Sequence, residues 1–189
     1  MLSQIAEDGS EVVLGILGPD EVFGQSAFLA VPPRNEKTSA LEKTTLMMWP
    51  IATVEDLVTR RPRLAVALLQ IMADRTAEFA RRIESFSKDN VERRLARTLL
   101  SFSERLGTPQ PDGSVQMMPF THGMLARYVG TSREVITQNM NQFRQRGLLS
   151  YSRQRIALHP HALARLLAVN PLSASPKADG PLEAHSSWM

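Results

Sequence analysis

The sequence predicts an α+β protein, and three observations along the chain support that fold class. Residues 1–52 alternate short apolar runs with turn-forming residues, which is typical of a small β-structure. Residues 53–88 carry one apolar stripe at helical spacing, and residues 89–169 carry two short helices, a glycine turn and a hairpin. Residues 170–189 are rich in proline, serine and alanine and are predicted to form a disordered tail.

The composition excludes several classes of protein. The absence of cysteine excludes disulfides, thiolate metal sites, iron–sulfur clusters and a cysteine nucleophile, and it fits the reducing cytoplasm, where we expect the protein. No apolar run approaches the ~18 residues that a membrane span needs, and no signal peptide is recognisable. No motif brings candidate catalytic or metal-ligating side chains together, so we expect neither an enzyme nor a metal site.

The charge of the chain is unevenly distributed. Residues 1–90 contain 10 Lys+Arg and 13 Asp+Glu, whereas residues 91–169 contain 11 arginines and 4 acidic residues. A basic segment joined to a slightly acidic one indicates a polyanionic partner, such as double-stranded DNA, for the second half only. Charge alone leaves open the alternative of a solvated arginine-rich surface.

The first elements are short strands separated by turns. The turn Glu7–Ser10 separates two apolar runs, and the Gly-Pro-Asp within Leu17–Gly24 marks a second turn. Val31–Lys37 is predicted to be a loop because its paired prolines suit neither a helix nor an inner strand. Thr45–Ile51 is a short apolar run and is predicted to be a buried strand. Strands at this spacing predict a sandwich or barrel.

The middle of the chain is predicted to be helical. Thr53 is the predicted N-cap of a short helix that runs to Pro62, and a long helix then continues to about Ser87. Because no nearby segment has a matching stripe, we expect this helix to pair with its own copy in a parallel homodimer. The alternative is a helix that packs wholly on its own domain. The stripe consists of Leu64, Leu68, Met72, Phe79, Ile83 and Phe86.

The second half continues with helices and short strands. Val91–Gly107 is predicted to be an amphipathic helix that ends at its glycine, and Ser114–Phe120 is predicted to contain a strand. Residues 148–152 and 155–159 read as two strands joined by a tight hairpin. A short helix over Pro160–Leu167 closes the folded part, with proline in its first turn.

Between these elements lies the segment with the clearest chemistry. A helix over Thr121–Val129 is broken by Gly130, and Ser132 caps the helix that follows, which is the geometry of a helix-turn-helix. The second helix is predicted to bury one face at four- and three-residue steps. That face consists of Ile136, Met140 and Phe143.

The opposite face of the second helix suits the reading of DNA bases. Arginine can bond guanine, glutamine and asparagine can bond adenine, and glutamate can accept from cytosine. An ordinary solvated helix face would carry more lysine–glutamate pairs. The polar face consists of Arg133, Glu134, Thr137, Gln138, Asn141 and Gln145. The other predicted DNA-binding residues are Thr121, His122, Thr131, Ser132 and the hairpin arginines Arg153 and Arg155.

The stretch "THGMLARYVGTSREVITQNMNQFRQRGLLSY" resembles the winged helix-turn-helix of the Crp/Fnr transcription regulators, most clearly in the G-x-S-R-E-x-[VI] pattern at Gly130–Ile136. The order of the preceding elements also matches, so the resemblance covers about residues 1–168. It implies a partial double-stranded β-roll of the cyclic-nucleotide-binding jelly-roll type, a long dimerisation helix and a C-terminal winged helix-turn-helix. It also implies a homodimer on a palindromic operator, with the recognition helix Ser132–Arg146 in the major groove and RNA polymerase as a further partner.

The resemblance also implies roles for individual residues. Arg133 and Glu134 would read bases, Gln138 would be a third reader, and Thr121 and Ser132 would contact phosphates. Members of the family often have arginine where this chain has Gln138, so we expect a preferred half-site that differs from the usual ones.

The sensor half departs from the cyclic-nucleotide pattern of the family. Gln25 replaces the ribose-binding glutamate, and Phe79 stands at one of the hydroxyl positions of the dimer helix. An amide does not reproduce a carboxylate on a ribose diol, so we expect weak or absent cAMP binding. Haem is not expected either, because all four histidines lie outside the sensor half. The candidate effector residues are Gly24, Gln25, Asn35 and Arg34, of which the last aligns loosely and reads equally well as a surface arginine.

Relative to the family, the chain starts at a strand in the middle of the roll. We therefore expect unpaired strand edges, an open apolar face and poorer solubility than for a complete relative. Two alternative functions remain open from the sequence. One is a cyclic-nucleotide-binding-like regulatory module that acts on a protein partner, and the other is a truncated, inactive regulator.

Overall fold

The structure is a computed structural model that describes residues 1–29, 31 and 35–168. The candidate effector residue Arg34 and the predicted disordered tail 170–189 lie outside the described residues. In the described ranges, a small sheet is followed by two consecutive helices and then by four more helices with a second small sheet. No helix in this part of the chain is long and apolar enough to cross a membrane.

The first sheet is antiparallel and has the strand order β2-β1-β3. The predicted turn between its first two strands is confirmed. The Ala6 amide donates to the Ser10 carbonyl at 2.8 Å, and Gly9 takes φ 80°, which glycine adopts without strain. The sequence predicts a sandwich or barrel for residues 1–52. In the described residues of that range, the structure contains this one three-stranded sheet. Its strands are β1 (Leu2–Ile5), β2 (Glu11–Gly15) and β3 (Glu36–Thr38), with a 3-10 helix at Gln25–Phe28.

The prediction of a buried strand at Thr45–Ile51 is wrong. Met47 and Met48 are 81% and 87% exposed, and residues 45–50 form no strand. A strand is stable only where another strand accepts its backbone hydrogen bonds. In the described part of the chain, β3 pairs with β1 alone, so no strand receives this run.

The predicted N-cap of the short helix is also wrong. Helix α1 spans Ile51–Arg60 and begins directly after Pro50, whose φ of −59° already suits a helix start. The Thr53 amide donates to the Pro50 carbonyl at 3.0 Å, which places Thr53 inside the first turn. Proline therefore sets the start of this helix, without a side-chain cap.

Helix α2, Pro62–Lys88, confirms the predicted long helix, and it has no fully buried residue in this single chain. Leu64, Leu68 and Met72 are half-buried, and α1 packs against this helix. The remaining members of the predicted stripe are exposed. Their exposed fractions are 41% for Phe79, 66% for Ile83 and 44% for Phe86.

The C-terminal part joins four helices to a four-stranded antiparallel sheet of order β4-β5-β7-β6. Every element predicted here from the sequence is present. The helices are α3 (Val91–Leu106), α4 (His122–Val129), α5 (Arg133–Gln145) and α6 (Pro160–Ala168). The strands are β4 (Thr108–Pro109), β5 (Val115–Met117), β6 (Leu149–Tyr151) and β7 (Ile156–Leu158).

The buried face of α5 is the predicted one. Ile136 and Phe143 are 0% exposed and Met140 is 1% exposed, so the helix is anchored in the main core of the protein. We expect Phe143→Ala to lower the free energy of unfolding by about 3–5 kcal/mol, because a large side chain leaves a fully packed site. Urea unfolding followed by circular dichroism measures this loss. The neighbouring exposed substitution Gln142→Ala is the control, and equal midpoints for the two variants would contradict the packing.

Arg82 of α2 joins the first sheet to the C-terminal part. Its guanidinium donates to the Leu14 carbonyl at 3.0 Å, to the Val13 carbonyl at 2.8 Å and to the Tyr128 carbonyl at 2.6 Å. It also lies 4.1 Å from the centre of the Tyr128 ring, a cation–π distance. Burial lowers the pKa of Arg82, but arginine remains charged at neutral pH. Three carbonyls from two separate segments are thus fixed by one side chain.

Two further arginines reinforce the same junction. Arg105 of α3 pairs with Glu21 at 2.8 Å and with Glu78 of α2 at 3.2 Å. Arg127 of α4 pairs with Glu11 of β2 at 3.2 Å. The orientation of the helix-turn-helix relative to the first sheet is therefore held by charged contacts as well as by the core.

Candidate nucleic-acid interface

The helix-turn-helix is formed by α4, a short turn and α5. Ser132 is the predicted cap of α5, and Thr121, predicted as the first residue of α4, instead caps that helix. The Thr121 hydroxyl accepts from the Met124 amide at 3.1 Å, and the Ser132 hydroxyl accepts from the Val135 amide at 3.3 Å. Such caps satisfy amides that have no partner within the helix. Between them Gly130 takes φ 73°, the left-handed conformation that ends α4.

The turn is packed from outside by α2 and α3. A Cβ at Gly130 would lie 2.7 Å from the Phe86 ring, so both the backbone conformation and the space require glycine. The guanidinium of Arg94 donates to the carbonyls of Val129 and Gly130 at 3.2 and 3.4 Å. A cation at the carbonyl end of α4 complements the helix dipole. These contacts fix the angle at which α5 leaves the turn.

The outer face of α5 presents four of the predicted side chains to solvent. Within the described chain, the side chains of Arg133, Gln138 and Gln145 have no hydrogen-bond partner. Hydrogen bonds at the helix start and from Ser132 lower the pKa of the exposed Glu134, so its carboxylate is ionised at neutral pH. The face therefore offers an arginine and two amides without internal partners, together with an exposed carboxylate that accepts hydrogen bonds at its own helix start.

Two of the predicted face residues are engaged within the protein instead. The Thr137 hydroxyl donates to the Arg133 carbonyl at 2.8 Å and lies 2.8 Å from Nδ1 of His122. The Asn141 side-chain carbonyl accepts from the Tyr151 hydroxyl at 3.0 Å. These contacts connect α5 to α4 and to the β6–β7 hairpin. The contact of Thr137 with DNA remains a prediction.

The β6–β7 hairpin has the form of a wing. Its turn is closed by the Ser152 amide, which donates to the Arg155 carbonyl at 2.8 Å. The side chains of Arg153 and Arg155 are exposed and form no ion pair among the described residues. Thr131, the other predicted phosphate contact, is half-buried in the turn between the helices. The wing thus adds two free cations to the polar face of α5.

Several other arginines of this basic half are neutralised within the protein. Arg93 and Arg97 both bond the Asp89 carboxylate, at 3.0 and 2.7 Å, and Arg146 pairs with Glu92 at 2.6 Å. Burial alone would raise the pKa of Asp89, but the hydrogen bonds from the two arginines outweigh it and lower that pKa. The cations without an internal partner are therefore concentrated on α5 and the wing.

The sequence did not identify Arg82 and Arg94 as residues that matter for the site. Both occur in amphipathic helices at positions that read as ordinary polar surface. Their role depends on carbonyls that are 46 and 35 residues away in the chain. No local sequence signal indicates such a contact.

The candidate effector residues do not converge on one site. Gly24 takes φ 86°, and the Gln25 side-chain carbonyl accepts from Arg75 of α2 at 2.8 Å. The Asn35 amide donates to the Ile5 carbonyl at 3.0 Å, which places it at the sheet edge. Gln25 and Asn35 therefore serve contacts within the protein.

A cavity of about 380 Å³ lies between the first sheet and α2. Its lining includes Gln25 and Phe79, but charged side chains of the protein also extend into it. Arg75 donates to Gln25 and to the Val22 carbonyl, and Arg105 bonds Glu21. Several of the polar groups that line the cavity are thus bonded to one another within the protein.

Comparison with known proteins shows that two parts of this chain match known domain families. Residues 93–166 match the Crp-like helix-turn-helix domain, and residues 1–61 match the cyclic nucleotide-binding domain. The global nitrogen regulator of Synechocystis sp. is 27% identical over 168 residues, which are 87% of this chain and 74% of that protein. The CRP-like cAMP-activated global transcriptional regulator of Mycobacterium tuberculosis is 27% identical over 143 residues, or 75% of this chain and 63% of that protein.

Solved structures share the fold at low identity. FixK2 from Bradyrhizobium japonicum superposes with a TM-score of 0.73 at 18% identity, covering 87% of this chain and 82% of that one. A CRP/FNR-family transcriptional regulator from Thermus thermophilus superposes with a TM-score of 0.66 at 24% identity, covering 89% and 82%.

Proposed function

Because the chain belongs to the Crp/Fnr family of DNA-binding transcription regulators, we propose that it binds a palindromic operator as a homodimer. Each protomer places α5 in the major groove of one half-site, and the wing lies over the adjacent backbone. RNA polymerase is the proposed partner of the bound dimer.

The observation that carries this proposal is the two-sided character of α5. On one side, Ile136, Met140 and Phe143 are fully buried in the core, and this packing holds the helix in place. The other side holds Arg133 and Gln138 in solvent without internal partners. A rigid helix with uncommitted guanidinium and amide groups is suited to base recognition, because binding sacrifices no internal bond.

The proposed homodimer rests on α2. Its apolar residues Phe79, Ile83 and Phe86 follow one stripe of the helix and are 41%, 66% and 44% exposed in the single chain. A second copy of the same helix presents the same stripe and can bury both in a parallel pair. Twofold symmetry then places the two α5 helices to meet half-sites about one DNA turn apart, ~34 Å.

Selection from a pool of random-sequence duplexes tests the proposed operator. After several rounds of binding to the full-length protein, the recovered sequences should share an inverted repeat whose half-sites are spaced by about ten base pairs. Sedimentation of the selected complex should give two protomers per duplex. A recovered pool without any inverted repeat would contradict the proposed palindromic, dimeric mode.

We also propose that cAMP is not the effector. Gln25 is held by Arg75, and Phe79 presents an apolar ring where a hydrogen-bonding group would be needed. Calorimetric titration of the full chain with cAMP should show no binding at micromolar concentrations. Heat that fits a micromolar dissociation constant would overturn this prediction, and the same titration with Arg75→Ala would show whether Arg75 blocks the cavity.

A further inference from the structure

His122 occupies a place where three parts of the DNA-binding unit meet. It is the first residue of α4, its Nδ1 lies 2.8 Å from the Thr137 hydroxyl of α5, and its ring meets the Tyr151 ring of the wing edge-on at 5.5 Å between centres. The imidazole is half-buried. It therefore lies between the recognition helix and the wing, the two elements that are proposed to contact DNA.

The hydrogen bonds around Thr137 determine which ring nitrogen carries the proton. The Thr137 hydroxyl has one proton and donates it to the Arg133 carbonyl at 2.8 Å. The 2.8 Å contact with His122 is then a hydrogen bond only if Nδ1 is the donor. In the uncharged imidazole the other nitrogen, Nε2, is consequently an acceptor with no proton to offer.

The first turn of α4, which begins with His122, suits an anion. The adjacent Gly123 has no atom within 4 Å of the place where a Cβ would be, so the first turn of α4 is open to an approaching group. In the described chain, the amides of His122 and Gly123 also have no acceptor, as is usual for the first turn of a helix. Free amides at the start of a helix favour the binding of phosphate.

We propose that His122 binds a DNA phosphate through Nε2 as an imidazolium, so that each protomer takes up a proton when it binds DNA. This inference rests on the proposed DNA binding and adds a proton to it. A phosphate oxygen is only an acceptor, and the Nδ1 proton is already committed to Thr137. Nε2 must therefore gain a proton before it can donate to the phosphate.

The direction of the pH dependence follows from the charges that face the ring. In the free protein, burial first and then the Arg133 cation of α5 lower the pKa of His122 below its usual 6.5. Tyr151, from the wing, is the titratable group on the other side of the ring. A bound phosphate raises the pKa of the imidazole. DNA affinity is then greatest below the pKa of the free protein and falls as pH rises through the higher pKa of the complex.

Titration calorimetry of the full-length protein with a short duplex of scrambled sequence tests the proton uptake. The experiment is run at low salt near neutral pH in Pipes and in Tris, whose ionisation enthalpies differ. The wild type should take up close to one proton per protomer on binding. For each proton taken up, its affinity should fall by up to roughly tenfold per pH unit between about pH 6 and 8. His122→Gln should bind more weakly, and His122→Arg should keep its affinity at high pH, both without proton uptake.

His161→Gln, at an exposed histidine of α6, is the matched control and should behave as the wild type does. Thermal melting of each variant verifies the fold, and His122→Arg keeps the test decisive if His122→Gln fails to fold. Binding of the wild type without proton uptake, or uptake that persists in His122→Gln, would overturn the inference and leave the proposed function intact. Absence of duplex binding by wild type and variants alike would overturn both.

Discussion

Arg133→Ala is expected to weaken specific DNA binding strongly while leaving the protein folded. The side chain is exposed in the first turn of α5 and has no internal partner, so its removal costs the fold little. A bidentate arginine–guanine pair contributes about 1–3 kcal/mol per site. Two half-sites in a dimer then lose roughly 2–6 kcal/mol, which is at least ~30-fold in affinity. Fluorescence anisotropy with the selected duplex measures this loss.

The matched control for Arg133→Ala is Arg165→Ala. Arg165 is also an exposed arginine of the C-terminal part, but it lies on α6, which packs against α3 away from the proposed DNA face. Both substitutions remove one positive charge from the basic half, so an effect of net charge alone would weaken binding by a similar amount in the two variants. An equal loss would contradict the assignment of Arg133 as a base reader.

Ile83→Glu is expected to convert the protein from a dimer to a monomer. Ile83 is 66% exposed in the single chain, so a carboxylate there disturbs few contacts within the protomer. Two glutamates would face each other across the seam of the proposed parallel helix pair, where both desolvation and repulsion oppose association. Loss of the second half-site contact should weaken operator binding roughly 10²–10⁴-fold. Analytical ultracentrifugation gives the oligomeric state.

Ala77→Glu is the control for the dimer seam. Ala77 is exposed on the side of α2 opposite to the Phe79, Ile83 and Phe86 stripe, so the same new charge should leave the dimer intact. Dissociation by both substitutions, or by neither, would show that the exposed stripe is not the interface between protomers.

The helix-turn-helix could be predicted from the sequence because its determinants are local. Thr121 and Ser132 each cap the helix that begins one residue later, and Gly130 supplies the left-handed turn between the helices. The buried face of α5 depends on a spacing of three and four residues, which is visible without the fold. Features set by neighbours in sequence are those that sequence patterns encode most directly.

The N-cap of α1 was misplaced for a local reason, because Pro50 starts that helix three residues before Thr53. The other failures originate in contacts between distant segments. The apolar run that contains Met47 and Met48 has the composition of a buried strand, but burial depends on a partner strand that the described residues do not supply. The capping of the α4 carbonyls by Arg82 and Arg94 likewise depends on segments that meet only after folding. The same holds for Gln25, whose bond to Arg75 spans 50 residues.

The most direct test of the central claim, specific reading of DNA by α5, is the ratio of two affinities. Binding of the full-length dimer to the selected duplex and to a scrambled duplex of equal length is measured at one salt concentration, because the phosphate contribution is common to both. We expect the selected duplex to bind at least ~10³-fold more tightly. A ratio near one would mean that the basic half of the chain binds DNA only as a polyanion, and that the exposed face of α5 does not read sequence.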